Sequence, residues 1–182
     1  MIQSDEINNE NQVLKVIKSR KSVRSYKQHN VDRETLLELV KAGMAAPSAK
    51  NYQPWMFIII TIKETIKQIS DIIPGSLALP QVDSAILICG TPDVYPPYVN
   101  PEFWKLDCSA ATQNILLAAE SMGLGAVWTA IYPFPGIITG IKELLNIPEN
   151  VHPFVVIPVG LPTGEDIPKD KFNPDKIKWE TL

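Results

Sequence analysis

The chain is short of the residues that most often announce a reaction. It has 2 cysteines and 2 histidines in 182 residues. Cys89 and Cys108 form no CxxC pair and sit in apolar or helical surroundings, which reads as buried free thiols rather than a disulfide or a metal site. His29 and His152 lie far apart and lack HExxH or His/Cys spacing, so each is expected at the surface or in a turn, and no metal site is expected. No GxSxG elbow presents a serine nucleophile, and neither GxxxxGK[ST] nor GxGxxG is present to cradle a phosphate. Nucleophilic and metal-assisted hydrolysis are therefore poorly supported. The longest apolar run, near Trp55 to Ile62, is far short of the ~20 residues a membrane helix needs. The start, MIQSDEINNENQ, has neither the basic nor the apolar region of a secretory signal. A cytoplasmic protein with no membrane partner is expected, with residues 1–10 flexible. A net charge of -3 argues against nucleic acid, which asks for a basic face.

What is present is ordinary for a globular domain: 45% hydrophobic and 20% charged residues. The length predicts a single domain over residues 1–182 with a sizeable core. The 16 prolines exceed the usual ~5% and fall mostly between apolar runs, which suggests shaped loops and arms. Val13, Leu14 and Ile17 suggest a short helix over Asn11–Lys18. Asp32 is placed to cap a second helix that carries Leu36, Leu37, Val40 and Met44 and ends before Pro47. Trp55–Ile62 and Val82–Cys89 read as buried strands, Lys63–Ile73 as a helix and Pro74–Pro80 as a loop. Residues 91–101 hold four prolines and two tyrosines and read as a loop with lid character. Leu106–Met122 is the longest helical pattern, with a stripe of Ala111, Ile115, Ala118 or Ala119, and Met122, closed by Gly123 in the usual cap. Ala126–Ile131 is a strand candidate, Ile137–Leu145 a helix and Phe154–Leu161 a strand. Residues 162–182 form a polar arm ending in a strand-like Lys176–Trp179, placed to lie along a partner subunit. Helices and strands alternate, so the class is α/β or α+β.

Two segments carry the chemistry. Arg20-Lys21-Ser22-Val23-Arg24 concentrates positive charge in an acidic chain. If extended, it projects Arg20, Ser22 and Arg24 to one side; if helical, Arg20 and Arg24 are still neighbours. Either way two guanidiniums converge on one group, and a phosphate is the simplest. The plain alternative is a solvated basic helix end. The second segment is Pro47-Ser48-Ala49-Lys50-Asn51-Tyr52-Gln53-Pro54-Trp55. Ser48, Asn51 and Gln53 supply a hydroxyl and two amides, the groups that can match both donors and acceptors on a flavin pyrimidine ring. A connector held by its own side-chain bonds is the alternative here. Lys169-Asp170-Lys171 in the tail is by itself a solvated charge run.

Taken together, RKSVRSY at 20–26, APSAKNYQPW at 46–55, DCSAATQNILLAAESMGLGAVW at 107–128, VGLP at 159–162 and PKDKF at 168–172 resemble the FMN-dependent nitroreductase family, in its compact form, along nearly the whole chain. The resemblance implies an α+β, three-layer fold: a central, mostly antiparallel sheet wrapped by helices, with the C-terminal arm exchanged between the subunits of a homodimer. It implies FMN at the interface. Arg20 and Ser22 would hold its phosphate and ribityl chain, and Lys169 and Lys171 would close on the phosphate. Arg24 would lie near N1 and O2 of the ring. Pro47, Ser48, Ala49 and Asn51, with Gln53 in the same loop, would come from the other subunit, and the backbone at Trp128, Thr129 and Ala130 would approach N5. Lys21 and Lys171 stand where arginine is common, which removes bidentate phosphate contacts. Lys50 replaces a small residue, and Ala130 a glycine. The implied activity is hydride transfer from NAD(P)H to flavin N5 and on to nitroaromatics, quinones or similar flat electrophiles, in ping-pong order. Dehalogenation, dehydrogenation, flavin breakdown or flavin binding without turnover are the alternatives.

Overall fold

The computed structural model describes residues 11–181, so the expectation for residues 1–10 lies outside the described residues. The centre is an antiparallel sheet. β3 (Ser84–Gly90) runs between β2 (Trp55–Ile60) and β6 (His152–Pro162). The far edge of β6 pairs in turn with β5 (Thr129–Ala130), β4 (Gly125–Ala126) and β1 (Tyr26–Lys27). The β3 register slips at Ile88/Cys89, where Cys89 faces Pro153 and Ile88 faces Val155. Pro153 has no N–H to give the ladder, which suits a bulge.

Strand alternation explains the layers. Ala85, Leu87 and Cys89 point to one face of the sheet and pack with Ile66 and Ile69 of α3 (Lys63–Ile72) and Ile141 of α5 (Pro135–Leu145). Ile86 and Ile88 point to the other, against Leu36, Leu39 and Val40 of α2 (Arg33–Met44) and Ile115 of α4 (Phe103–Ser121). The expected α+β three-layer arrangement is what forms. Asp32 caps α2, accepting from the Thr35 N–H at 2.8 Å. Gly43 lets α2 lie on α4, because a Cβ there would stand 2.9 Å from Ile115 Cδ1. No described helix is long and apolar enough to cross a membrane.

Several expectations are corrected. β2 is an edge strand and mostly half-buried, with Met56 exposed, rather than buried throughout. The stretch Ala126–Ile131 is not one strand: β4 and β5 are two-residue pieces separated by Val127 and Trp128. Met122 of the expected α4 stripe is exposed, whereas Ala111, Ile115 and Ala119 are buried. Lys176–Trp179 is not a strand; a single turn of 3-10 helix covers Pro174–Lys176, and Trp179 is 87% exposed. A strand needs a neighbouring edge, and among the described residues the tail pairs with none. His152 sits on β6 and stacks on Trp104 at 5.7 Å rather than lying in a surface turn. Burial, and then the nearby Lys142, hold its pKa below the ordinary histidine value. α1 (Gln12–Ser19) rests on α4 but leaves Val13, Leu14 and Ile17 exposed.

Candidate functional site

The basic segment is extended, and one buried residue sets its direction. Val23 is buried, and its N–H donates to the Ala126 carbonyl at 3.1 Å. Gly125 makes room for it: a Cβ there would stand 2.6 Å from Val23 Cγ1. Tyr26, also buried, donates its hydroxyl to the Val23 carbonyl at 2.8 Å. Burial, and secondly the charge of Asp166, push the pKa of that phenol up. With Val23 facing in, the flanking residues face out. Arg20, Lys21, Ser22 and Arg24 line a cavity of about 480 Å³ together with Glu165, Asp166, Ile167, Lys169 and Lys171. The tail lysines and the basic segment, some 150 positions apart in sequence, therefore share one site.

Arg24 belongs to a second cavity as well. This one, about 450 Å³, is walled by Pro74–Leu77, by Val127–Ala130, and by Phe134 and Ile137 of the α5 approach. Trp128, Thr129 and Ala130 thus share one cavity with Arg24, and residues 73–78, which carried no functional signal in the sequence, line it as well. The Arg24 backbone is held from both directions. Its N–H donates to Asp166 Oδ2 at 2.9 Å, with the Ser25 N–H on the same oxygen at 3.3 Å. Its carbonyl accepts from Gln81 Nε2 at 2.9 Å, and that same nitrogen donates to the Leu77 carbonyl at 2.6 Å. Gln81 Oε1 accepts from the Tyr26 N–H. Gln81 and Asp166 were not expected from the sequence. They act across 57 and 142 positions, and no local pattern marks such bonds.

Lys21 lines the first cavity, but its ammonium is engaged by both carboxylate oxygens of Glu120 at 3.1 Å. Its charge ties the segment to α4 and leaves Arg20, Arg24, Lys169 and Lys171 as the cations facing the space. None of these four forms an ion pair among the described residues.

The second expected segment stands apart from both cavities within one chain. Ser48 Oγ accepts from the Gln53 N–H at 3.0 Å, and Asn51 Oδ1 accepts from Gln53 Nε2 at 3.2 Å. Lys50, Asn51 and Gln53 have φ of 48°, 59° and 53°, in the left-handed region that side chains disfavour. The turn is fastened to α4, where Asp107, 7% exposed, accepts from the Ala49 N–H at 3.0 Å and from the Tyr95 hydroxyl at 2.7 Å. Lys50 lies over the Tyr98 ring at 4.8 Å, and the Tyr52 and Tyr98 hydroxyls meet at 3.3 Å. Pro47 leads into this turn from the end of α2. Among the described residues no group of three or more His, Cys, Asp or Glu could hold a metal.

A basic cavity joined through one guanidinium to one with mostly apolar walls fits a ring that carries an anionic tail. The nitroreductase family model matches residues 17–91 and 75–161, and the chain belongs to this family. It is 41% identical over 168 residues, 92% of this chain and 86% of the other, to a protein of Methanothermobacter thermautotrophicus provisionally named NADH dehydrogenase/NAD(P)H nitroreductase. A crystal structure from Parabacteroides distasonis bearing the same provisional name superposes with a TM-score of 0.88 at 44% identity, covering 95% of this chain and all of that one (100%). A nitroreductase-like structure from Desulfovibrio desulfuricans, solved in complex with FMN, matches with a TM-score of 0.80 at 26% identity over 96% of this chain and 99% of that one.

Proposed function

We propose that the protein is an FMN-dependent oxidoreductase that takes reducing equivalents from NAD(P)H and passes them to a flat electron acceptor such as a nitroaromatic or a quinone. The observation that carries this reading is the position of Arg24 on the walls of both cavities. FMN has the matching shape: a dianionic phosphate, a polyol chain and a planar ring. The donor set fits it. Arg20, Ser22, Lys169 and Lys171 offer cations and a hydroxyl to a phosphate, and Arg24 offers a charge to the pyrimidine edge of the ring. Val127, Trp128 and Phe134 give the ring an apolar wall.

FMN supplies the redox chemistry when bound, accepting hydride from NAD(P)H and giving it up to the acceptor. The chain's own residues bind, orient and polarise. Arg24, with its backbone fixed by Gln81 and Asp166, would place its positive charge beside the pyrimidine edge of the ring, where negative charge gathers on reduction. In this reading no side chain is needed as nucleophile or general acid, and the sequence carries no GxSxG or HExxH motif. One open cavity above the ring would serve donor and acceptor in turn, so ping-pong kinetics are expected.

The functional unit in this reading is a homodimer. Among the described residues no strand pairs with the outer edge of β2, α1 exposes Val13, Leu14 and Ile17, and the arm beyond Pro162 is largely exposed. A second copy would cover these surfaces and bring Pro47, Ser48, Ala49, Asn51 and Gln53 to the ring of its partner. The test is direct. The purified protein is expected to be yellow and to bleach anaerobically with NADH or NADPH, with colour restored by a quinone. A colourless protein that takes up no FMN would end the reading. A yellow protein that neither nicotinamide bleaches would leave flavin binding without this turnover.

A further inference from the structure

The cavity proposed for the ring is lined by segments far apart in sequence, and one side chain outside it joins two of them. Arg24 is one lining residue. Leu77, 70% exposed, is another, on the segment 73–78. The bonds that shape this segment are local. The Ser76 N–H donates to the Ile73 carbonyl at 3.2 Å and the Leu77 N–H to the Gly75 carbonyl at 2.9 Å, while the Ser76 carbonyl accepts from Ser70 Oγ at 3.5 Å. Ile73 and Ala78 are buried at its ends, and Pro74, Gly75 and Leu77 between them are exposed. The hydrogen bond that carries the segment across to Arg24 comes from Gln81.

A glutamine amide offers two N–H donors and a carbonyl acceptor. Gln81 uses all of them. Its Nε2 donates to the Leu77 carbonyl at 2.6 Å and to the Arg24 carbonyl at 2.9 Å, and its Oε1 accepts from the Tyr26 N–H at 3.2 Å. Two carbonyls and one N–H fix which way round the amide stands. It satisfies backbone groups of the 24–26 segment that a neighbouring strand otherwise would. Asp166 also holds Arg24, through its N–H, but bonds to no atom of residues 73–78. Gln81 is the residue where the two segments meet. It lines neither the ring cavity nor the basic one, and it carries no charge. Its influence on a bound ring therefore passes through the residues it holds.

We infer that Gln81 is a positioning residue that sets two properties of the site at once: the charge beside the pyrimidine edge, through Arg24, and the apolar wall that an acceptor meets, through Leu77. A fixed charge stabilises a developing one only when its place is set beforehand, and one amide sets that place and the wall together. This rests on the flavin reading of the cavities and names, within it, the residue that couples flavin potential to acceptor recognition.

The test uses the FMN-loaded protein and reads the two-electron midpoint potential of the flavin and the KM and kcat for a naphthoquinone. Gln81→Met keeps the length and neutrality of the side chain and removes both donors. It should lower the midpoint, by less than Arg24→Ala does, and raise the quinone KM by roughly threefold to tenfold, the range for one ordinary hydrogen bond. Leu77→Ala keeps the carbonyl that Gln81 holds, so it should raise the KM and leave the midpoint at the wild-type value. Added to Arg24→Ala, Gln81→Met should lower the midpoint no further, because the two act as a unit. Gln81→Asn, one methylene shorter, keeps the amide without its full reach and should fall between wild type and Gln81→Met. An unchanged midpoint in Gln81→Met would overturn the inference and leave the proposed function standing. So would an equal fall with and without Arg24, the mark of a general loosening, or a lowered midpoint with an unchanged quinone KM. Loss of folded protein in both Gln81 variants would make it a residue of the fold alone and overturn the inference equally. Wild-type protein that binds no FMN would instead remove the proposed function.

Discussion

Asp107 offers a quantitative test of how the strained turn before β2 is held. Three of its residues, Lys50, Asn51 and Gln53, sit at positive φ, which costs on the order of 3 kcal/mol together. The turn persists because its donors are satisfied, and Asp107 satisfies the one at Ala49 while also accepting from Tyr95. Asp107→Ala strands an amide and a phenol in a largely buried place. Each stranded group costs about 1–3 kcal/mol. Partial access of water to Ala49 holds the expected sum to about 3 kcal/mol, or a fall in Tm of about 6–12 °C for a chain of this size. Asp107→Asn keeps an acceptor but loses the charge assistance, so its cost should be nearer 1 kcal/mol. Thermal denaturation measures the loss, and hydrogen exchange locates it: the Ala49 amide and its neighbours through Gln53 should exchange faster in Asp107→Ala while α3 and β3 keep their protection. A Tm within about 1 °C of wild type, with unchanged exchange at Ala49, would refute the account. So would a loss spread evenly over the fold.

The remaining predictions concern the cations and one helix cap. Arg20→Ala should weaken FMN by about 1.5–3 kcal/mol through loss of a charge-assisted contact; undiminished flavin retention after dialysis would remove Arg20 from the phosphate. Arg24→Ala should lower the two-electron midpoint potential of the bound flavin, because positive charge stabilises the reduced ring; an identical midpoint in a redox titration would deny it that role. Asp32→Ala should lower the Tm at neutral pH by exposing the first turn of α2. The Asp32 carboxyl is held below its ordinary 3.8, first by the Thr35 N–H. Its contribution is therefore present above that value and lost as pH falls through the depressed pKa, so wild type and variant should converge in strong acid; a gap that persists there would point to another cause.

Much of the fold was legible because its signals are local. Asp32 before an apolar period, Gly123 after one (φ 72°), and the apolar run expected over Val82–Cys89 mark α2, the end of α4 and β3, which itself runs from Ser84 to Gly90. The pattern failed where structure depends on a partner. Ala126–Ile131 is apolar enough for a strand, yet β6 supplies ladder contacts only at 125–126 and 129–130. Trp55–Ile62 reads as a buried strand because its residues are apolar on both faces, but β2 ends at Ile60 and no described strand pairs along its outer edge. The site divides in the same way. Arg20, Ser22 and Arg24 could be seen as one row because alternation is a local rule, and Lys169 and Lys171 joined them only through the family pattern. Gln81, Asp166 and Asp107 were invisible because what makes them matter is a hydrogen bond to a distant backbone atom. Gln81 in particular reads as an ordinary polar residue after Pro80.

The two thiols acquire a different meaning once the acceptors are considered. Quinones and the products of nitro reduction are soft electrophiles, and thiolates are their usual victims. Cys89 and Cys108 are fully buried between the sheet and its helices. Burial pushes the Cys89 thiol up to about 12 and raises Cys108 as well. Both sulfurs therefore stay protonated and out of reach at neutral pH. If the proposed acceptors are its substrates, neither cysteine stands on the surface they would meet, and core packing alone keeps both thiols from them.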